Sequence, residues 1–240
     1  TTGAHNADKI FCLVRTSTEG KPQEGISFLL FDMDLPGITV KPILTYAGDH
    51  ELNQVFFDDV RVPQSSRVGD ENQGWTVAKY LLEFERGGVP YTPRVKAGLL
   101  RLKDMIHKEA GGDGRSLAED PDFRGRLAKL EIGIQAAEII EKRVMSALSQ
   151  GENPGYASSI FKLRGSELLQ EMLELTMKTL GNYAAPYQPE AHVFGNNVEA
   201  VAPNYGLTAT SKYYNQRAAT IYAGSSEVQR TILAKHALGL

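Results

Sequence analysis

The 240-residue sequence predicts an α+β chain in which a partial β-barrel or sheet precedes a bundle of helices. The first observation behind this is four short apolar or alternating runs, "KIFCLVRT", "ISFLLFD", "ITVKPIL" and "NQVFFDDVRVP", spaced through residues 9–63. They are separated by "STEGKPQEG", "MDLPG" and "YAGDHE", whose glycines, prolines and aspartates suit turns, so the runs read as strands. The second is a change of apolar period, from Asn72 onward, to that of helices. Together they place a β-domain at residues 1–68 and a helical domain at 69–240.

Taken in order, "GWTVAKYLLEFERGGVPYTPRVKAGLLRLKDMIHKEAGG" is one helical candidate ending at paired glycines, with Pro90 and Pro93 kinking or dividing it. After the polar "GGDGRSLAED", Asp120 and Pro121 suit the cap and first turn of a helix reaching about Gln150. A further helix covers roughly 155–180 and stops at Gly181-Asn182, both suited to a left-handed C-cap. The next runs from Gly206 to Tyr222, and the last starts after Ser226, whose hydroxyl with Gln229 fits the S-x-x-Q capping pattern. Between them, "NYAAPYQPEAHVFGNNVEAVAPNYG" exceeds the ~12–15 residues at which structureless connections become uncommon, which marks a functional loop or an interface.

Composition removes several classes of function. Charges are mixed, with a net −3 and no long basic run, so no nucleic-acid surface is expected. No apolar stretch nears the ~20 residues that span a bilayer, and the first residues lack a charged-then-apolar signal pattern. The lone Cys12 sits in an apolar run and reads as a structural thiol, compatible with a reducing compartment such as the cytoplasm. The missing initial Met and a strand beginning almost at Thr1 suggest the C-terminal part of a longer protein. His5, His50, His107, His192 and His236 lack metal-ligand spacing, so they read as structural or surface residues and no metal centre is expected. Neither a G-x-S-x-G elbow nor a glycine-rich phosphate loop is present.

Two stretches carry candidate chemistry. In "LLEFERGG", Glu85 and Arg86 are followed by Gly87 and Gly88, each costing a helix roughly 1 kcal/mol relative to alanine. Either a ligand approaches the backbone there, or this is a solvated acidic face with a weak spot. In "IYAGSSEVQR", small residues precede a helix N-terminus whose N–H groups, with the Ser225 and Ser226 hydroxyls, suit an anionic or carbonyl-rich ligand. An ordinary capped helix would look the same.

In combination these stretches resemble the acyl-CoA dehydrogenase family over nearly the entire chain. "TTGAHNAD" is similar to the end of that family's W-x-T-x-G-x-x-A-D segment, "NQVFFDDVRVP" and "GDENQGW" to its strand and helix entry, and "IYAGSSEVQR" to its Y-E-G-T/S-x-E-I-Q-R turn. The resemblance implies part of a central β-domain followed by a C-terminal four-helix bundle. It implies FAD as cofactor, an acyl-CoA thioester as substrate, an electron-transfer flavoprotein as acceptor, and a homo- or hetero-tetramer. By the same resemblance Thr2, Gly181, Tyr222, Ser225 and Glu227 are cofactor contacts, and Arg86 lies near the CoA arm. The family's usual base is the glutamate of Y-E-G-T, where this chain has Ala223; a minority of members carry the base on the first bundle helix, at the position of Glu85. Glu85 is therefore the expected general base for the α-proton, with hydride passing to flavin N5.

Two departures from the family pattern matter. The R-x-x-F-G motif that reaches a neighbouring subunit's FAD pyrophosphate is replaced in "KEAGGDGRSL", with Ala110 for Arg and Asp113 for Phe, and Lys178 replaces a usual glutamine. Other basic residues, Lys178 or Arg115 among them, would have to hold the pyrophosphate. The alternatives to a catalytic dehydrogenase are a non-catalytic partner subunit of a heteromeric family member, and a flavin oxidase or monooxygenase on the same fold.

Overall fold

A computed structural model describes residues 1–88, 91–152 and 155–240, apart from the side chains of 83–88 and His192. The chain divides into two compact units, Thr1–Glu85 and Arg86–Leu240. The first is built from β1 (Lys9–Arg15), β2 (Ile26–Asp32), β3 (Ile38–Ile43), β4 (Leu52–Phe57), the two-residue β5 (Arg67–Val68) and α1 (Gly74–Gly88). The helical period that begins near residue 72 thus starts inside this unit.

The four expected strands form, but in two sheets instead of one: β1-β2-β5 and β3-β4, antiparallel throughout. The reason lies in β2, whose two edges are taken by β1, with Cys12 opposite Leu29, and by β5. Strand β3 therefore has no free edge of β2 to join, and pairs with β4, Val40 opposite Val55. Opposite residues share a face, so Phe11 and Leu13 lie with Leu30 and Phe28, and Phe11 stacks on Phe28 at 5.3 Å. Cys12 is half-buried, and burial pushes its thiol up, in keeping with a structural role. Ser27, fully buried in β2, accepts from the Asn72 N–H at 2.9 Å and shares a 2.7 Å hydroxyl contact with Thr16, tying the entry of α1 to the sheet.

The second unit contains α2 (Tyr91–Lys108), α3 (Pro121–Ser149), α4 (Ala157–Leu180), α5 (Ala209–Asn215) and α6 (Ser226–Ala237). The helical candidate that begins at residue 74 is divided into two helices, one of the two outcomes expected of its prolines, and the second stops at Lys108, before the paired glycines. Pro90 lies outside the described residues; Pro93 sits in the first turn of α2, where its missing N–H breaks no intrahelical bond. Asp120 caps α3 as expected, its carboxylate accepting from the N–H groups of Asp122 and Phe123 at 2.8 and 3.2 Å.

Helices α2 and α3 run antiparallel, as the Lys96–Glu138 and Lys103–Glu131 ion pairs show: one partner number rises while the other falls. Helices α2 and α4 run parallel, since Gly165 lies against Tyr91 and Gly98 against Met172. The exposed ion pairs are worth at most about 1 kcal/mol each. The buried cluster of Val95, Leu99, Leu102, Ile106, Leu130, Ile134, Leu168 and Met172 contributes about 1.5–3 kcal/mol per side chain, so apolar burial holds the bundle.

The helix expected from Gly206 to Tyr222 is shorter than its sequence suggests, with α5 passing into a 3-10 segment at Gln216–Thr220. The Gln170 amide of α4 donates to the Gln216 and Arg217 carbonyls at 2.9 and 3.2 Å, drawing them toward α4 and away from an α ladder. At the end of α4, Gly181 has a positive φ of 52° with ψ −123°, so it is not the left-handed cap expected, and Asn182 continues into a 3-10 turn over Gly181–Ala184.

Candidate functional site

The turn before α6 is built by its own backbone and by α4. The N–H groups of Ile221 and Tyr222 both donate to the Ala218 carbonyl, at 2.9 and 3.0 Å. Ala223 and Gly224 then take consecutive positive φ values, 54° and 86°. A Cβ on Gly224 would lie 2.4 Å from Gln229 Nε2, and with its φ of 86° the position favours glycine. Helix α6 starts one residue earlier than the capping pattern suggests. Ser225 is the N-cap, accepting from the Val228 N–H at 3.4 Å, while Ser226 and Gln229 are buried with Ser226 Oγ and Gln229 Nε2 unpartnered among the described residues. Three residues apart on a helix, those two share one face; burial claims both, and the half-buried Ser225 caps.

Glu227 is exposed in the first turn of α6. Its own backbone N–H, then the Ser225 hydroxyl, and the nearby Arg230 and Lys162 charges hold its carboxyl below the usual range. Beneath the turn, Lys162 of α4 is buried and donates Nζ to the Gly224 carbonyl at 2.5 Å; burial pulls its pKa down, partly offset by Glu227. Further along α4, Glu167 joins Arg164 and Arg230, each at 2.7 Å. The turn therefore gathers three of the expected contacts, Tyr222, Ser225 and Glu227, on a rigid support, and its helix N-terminus suits an anionic or carbonyl-rich group such as part of a flavin cofactor.

The other expected residues belong to other elements. Gly181 lies 19 residues beyond Lys162 along α4, about 28 Å at the helical rise, so it does not join this turn within one chain. Glu85 and Arg86 fall within the span of α1, but their side chains lie outside the described residues. Thr2 belongs to the first unit, where it bridges to Leu52 while the Gly3 N–H donates to the Glu51 carbonyl at 2.9 Å.

Beside Thr2 the structure joins residues that sequence reading left scattered. The His5 and His50 rings stack with centroids 4.0 Å apart, and the buried Asn53 bonds both, Oδ1 to His50 Nε2 at 2.8 Å and Nδ2 to His5 Nδ1 at 3.0 Å. These histidines are 45 residues apart in sequence, and no local spacing announces the pair. Among the described residues no group of histidine, cysteine and carboxylate side chains could hold a metal, and no helix is long and apolar enough to cross a membrane.

The segment that replaces R-x-x-F-G is a tight polar hairpin. Ala110 bridges Ser116, the Gly111 N–H donates to the Arg115 carbonyl at 2.8 Å, and the Arg115 guanidinium is held by Asp113 at 2.7 Å. Lys178 faces Glu174 at 3.7 Å. Both cations named as substitutes sit in exposed ion pairs, so a pyrophosphate would have to compete with Asp113 or Glu174 for them. The 182–206 connection is ordered by its own side chains: Gln188 bonds the Glu199 carbonyl and the Val201 N–H, and the Tyr205 hydroxyl donates to Glu109 at 2.6 Å.

Comparison with known proteins agrees with this picture. Residues 72–238 match the model of the acyl-CoA dehydrogenase C-terminal domain. Acyl-CoA dehydrogenase IpdE1 of Mycolicibacterium smegmatis is 32% identical over 99% of this chain, which spans 55% of that relative's length. The ChsE4-ChsE5 complex from Mycobacterium tuberculosis superposes on 100% of the chain with a TM-score of 0.83 and 28% identity, covering 59% of the solved chain. The steroid acyl-CoA dehydrogenase Tcur3481-Tcur3483 gives a TM-score of 0.83 at 25% identity over 100% of this chain and 58% of its own.

Proposed function

The chain belongs to the acyl-CoA dehydrogenase family, and from that membership we propose that it is part of a subunit of a heteromeric, flavin-dependent acyl-CoA dehydrogenase. Its likeness along the whole chain to two assemblies of paired, differently named chains carries this reading. Two features of the chain support it. Ala223 removes the carboxylate from the turn, and the hairpin at 110–116 offers no uncommitted arginine to a neighbour's pyrophosphate. Such a chain contributes assembly surface and, through Tyr222, Ser225 and Glu227, one part of a cofactor site, and an unlike partner supplies the rest; Thr2 remains a separate cofactor contact that the family pattern implies. The steroid dehydrogenase among its structural relatives suggests a bulky polycyclic acyl-CoA as the substrate class.

A second reading is favoured by the Glu85-Arg86 pair. In it this chain is itself catalytic: Glu85 takes the α-proton of the thioester and Arg86 orients the CoA arm. The chemistry a bound FAD would supply is acceptance of the hydride from the β-carbon, with an electron-transfer flavoprotein as the onward acceptor. The Glu85→Gln variant in the purified complex separates the two. Unchanged turnover supports the partner-subunit reading, whereas a loss of about 10²–10⁴-fold, the usual worth of a general base, supports the second.

A further inference from the structure

Lys162 is an unusual residue to find in the interior of a helix bundle. Its side chain is 5% exposed, and burial of an ammonium group is costly unless it is paired. Its hydrogen bond is to a backbone carbonyl 62 residues away, that of Gly224, at 2.5 Å, with the Glu227 carboxylate as its electrostatic neighbour. That carbonyl belongs to the second of two consecutive residues with positive φ, the first of which is an alanine. An L-residue in the left-handed region is disfavoured by roughly 1–2 kcal/mol, so surrounding contacts must hold it there.

We propose that Lys162 is the positioning residue of the cofactor-facing turn, holding Gly224 O from below so that Ala223 keeps its left-handed conformation and Ser225 keeps its place at the N-cap of α6. The contact is the first of three by which α4 grips the segment 216–230: Lys162 on Gly224, Glu167 on Arg230, and Gln170 on Gln216 and Arg217. Positions 162, 167 and 170 fall within about two and a half helical turns. Of the three contacts, that of Lys162 is the one made next to the strained residue, on the carbonyl of the glycine that follows Ala223. A lysine suits this place because its long apolar stem can be buried while the ammonium reaches a carbonyl; an apolar side chain of similar length, such as methionine, offers that carbonyl no donor. The importance of this for flavin binding rests on the function proposed above, whereas the control of the turn does not.

The test uses the full-length parent protein in its native assembly, comparing wild type with Lys162→Met by hydrogen exchange and by the visible circular dichroism of bound flavin. Amides of 221–229 are expected to exchange at least about tenfold faster in the variant, while peptides from α2 and α3 keep wild-type rates. The flavin spectrum is expected to change without loss of the assembly. Lys162→Gln, polar but too short to reach Gly224, is expected to behave the same way and serves where Lys162→Met does not accumulate. Wild-type exchange over 221–229 in either folded variant overturns the proposal. Faster exchange with an unaltered flavin spectrum keeps Lys162 as the anchor of the turn and removes the turn from the flavin site. The exchange measurement reads the turn whether or not flavin is present, so failure of the flavin reading and failure of the Lys162 proposal remain distinct.

Discussion

Ala223→Gly should stabilise the protein, although it removes a methyl group and adds chain freedom. Ala223 is exposed and has a φ of 54°, where an L-residue is disfavoured by about 1–2 kcal/mol. Glycine relieves that, at a cost of roughly 0.4–1 kcal/mol from the greater freedom of the unfolded chain. The difference leaves a net gain of about 0.5–1 kcal/mol, which for a domain of this size is a rise of roughly 1–4 °C in Tm. Ala223→Val should act in the opposite direction, since a β-branched side chain tolerates positive φ least. Thermal unfolding of wild type, Ala223→Gly and Ala223→Val, followed by intrinsic fluorescence, provides the ranking Gly above Ala above Val. A lower Tm for glycine than for alanine would refute the claim that the backbone is strained at this residue, and with it the idea that α4 holds the turn against a preference.

Other consequences follow from single contacts. A Cβ on Gly165 would lie 2.7 Å from Tyr91 Cγ, so Gly165→Ala should cost about 1–3 kcal/mol, and much less in a Tyr91→Ala background; equal costs in both would rule out the clash. Hydrogen bonding to Glu109 pushes the Tyr205 hydroxyl up to about 12. A folded value above the ordinary one of about 10 means that this contact is intact below pH ~10 and is lost as pH rises through ~12. Ultraviolet titration should show a tyrosine ionising near the top of that range that vanishes in Tyr205→Phe, and no difference between the two proteins would contradict it. Asn53→Leu removes the shared partner of the exposed His5 and His50 rings and the buried amide's bond to the Thr1 carbonyl, contacts worth about 0.5–1.5 kcal/mol each. Faster hydrogen exchange over residues 1–6 should follow, and unchanged exchange there would show that the amide does not hold the Thr2 segment.

The parts of the fold that could be read from sequence are those governed by local rules. The strand runs ended at Gly, Pro and Asp clusters, and Asp120-Pro121 marked the start of α3. Reading failed where a distant residue took over a local choice. Ser226 matched a capping motif, but α4 buries it with Gln229, and Ser225 became the cap. The helical pattern through Tyr222 was overridden by the Gln170 amide. Which strands pair, β3 with β4 and β2 with β1 and β5, was not predicted, because it depends on which edges are occupied, a property of the whole sheet. In the candidate site, Ala223, Ser225 and Glu227 were visible because they are neighbours in one motif. Lys162 and the His5–Asn53–His50 cluster were not, because no spacing in the chain records a contact across 62 or 45 residues.

Flavin content and native mass of the full-length parent, purified alone and then with its unlike partner, provide the most direct test of a shared cofactor site. Alone, the parent should hold well under one FAD per chain; with the partner, it should form a mixed assembly that retains flavin and is bleached anaerobically by an acyl-CoA thioester. A homo-oligomer carrying one FAD per chain, and bleached by a thioester without any partner, would contradict it.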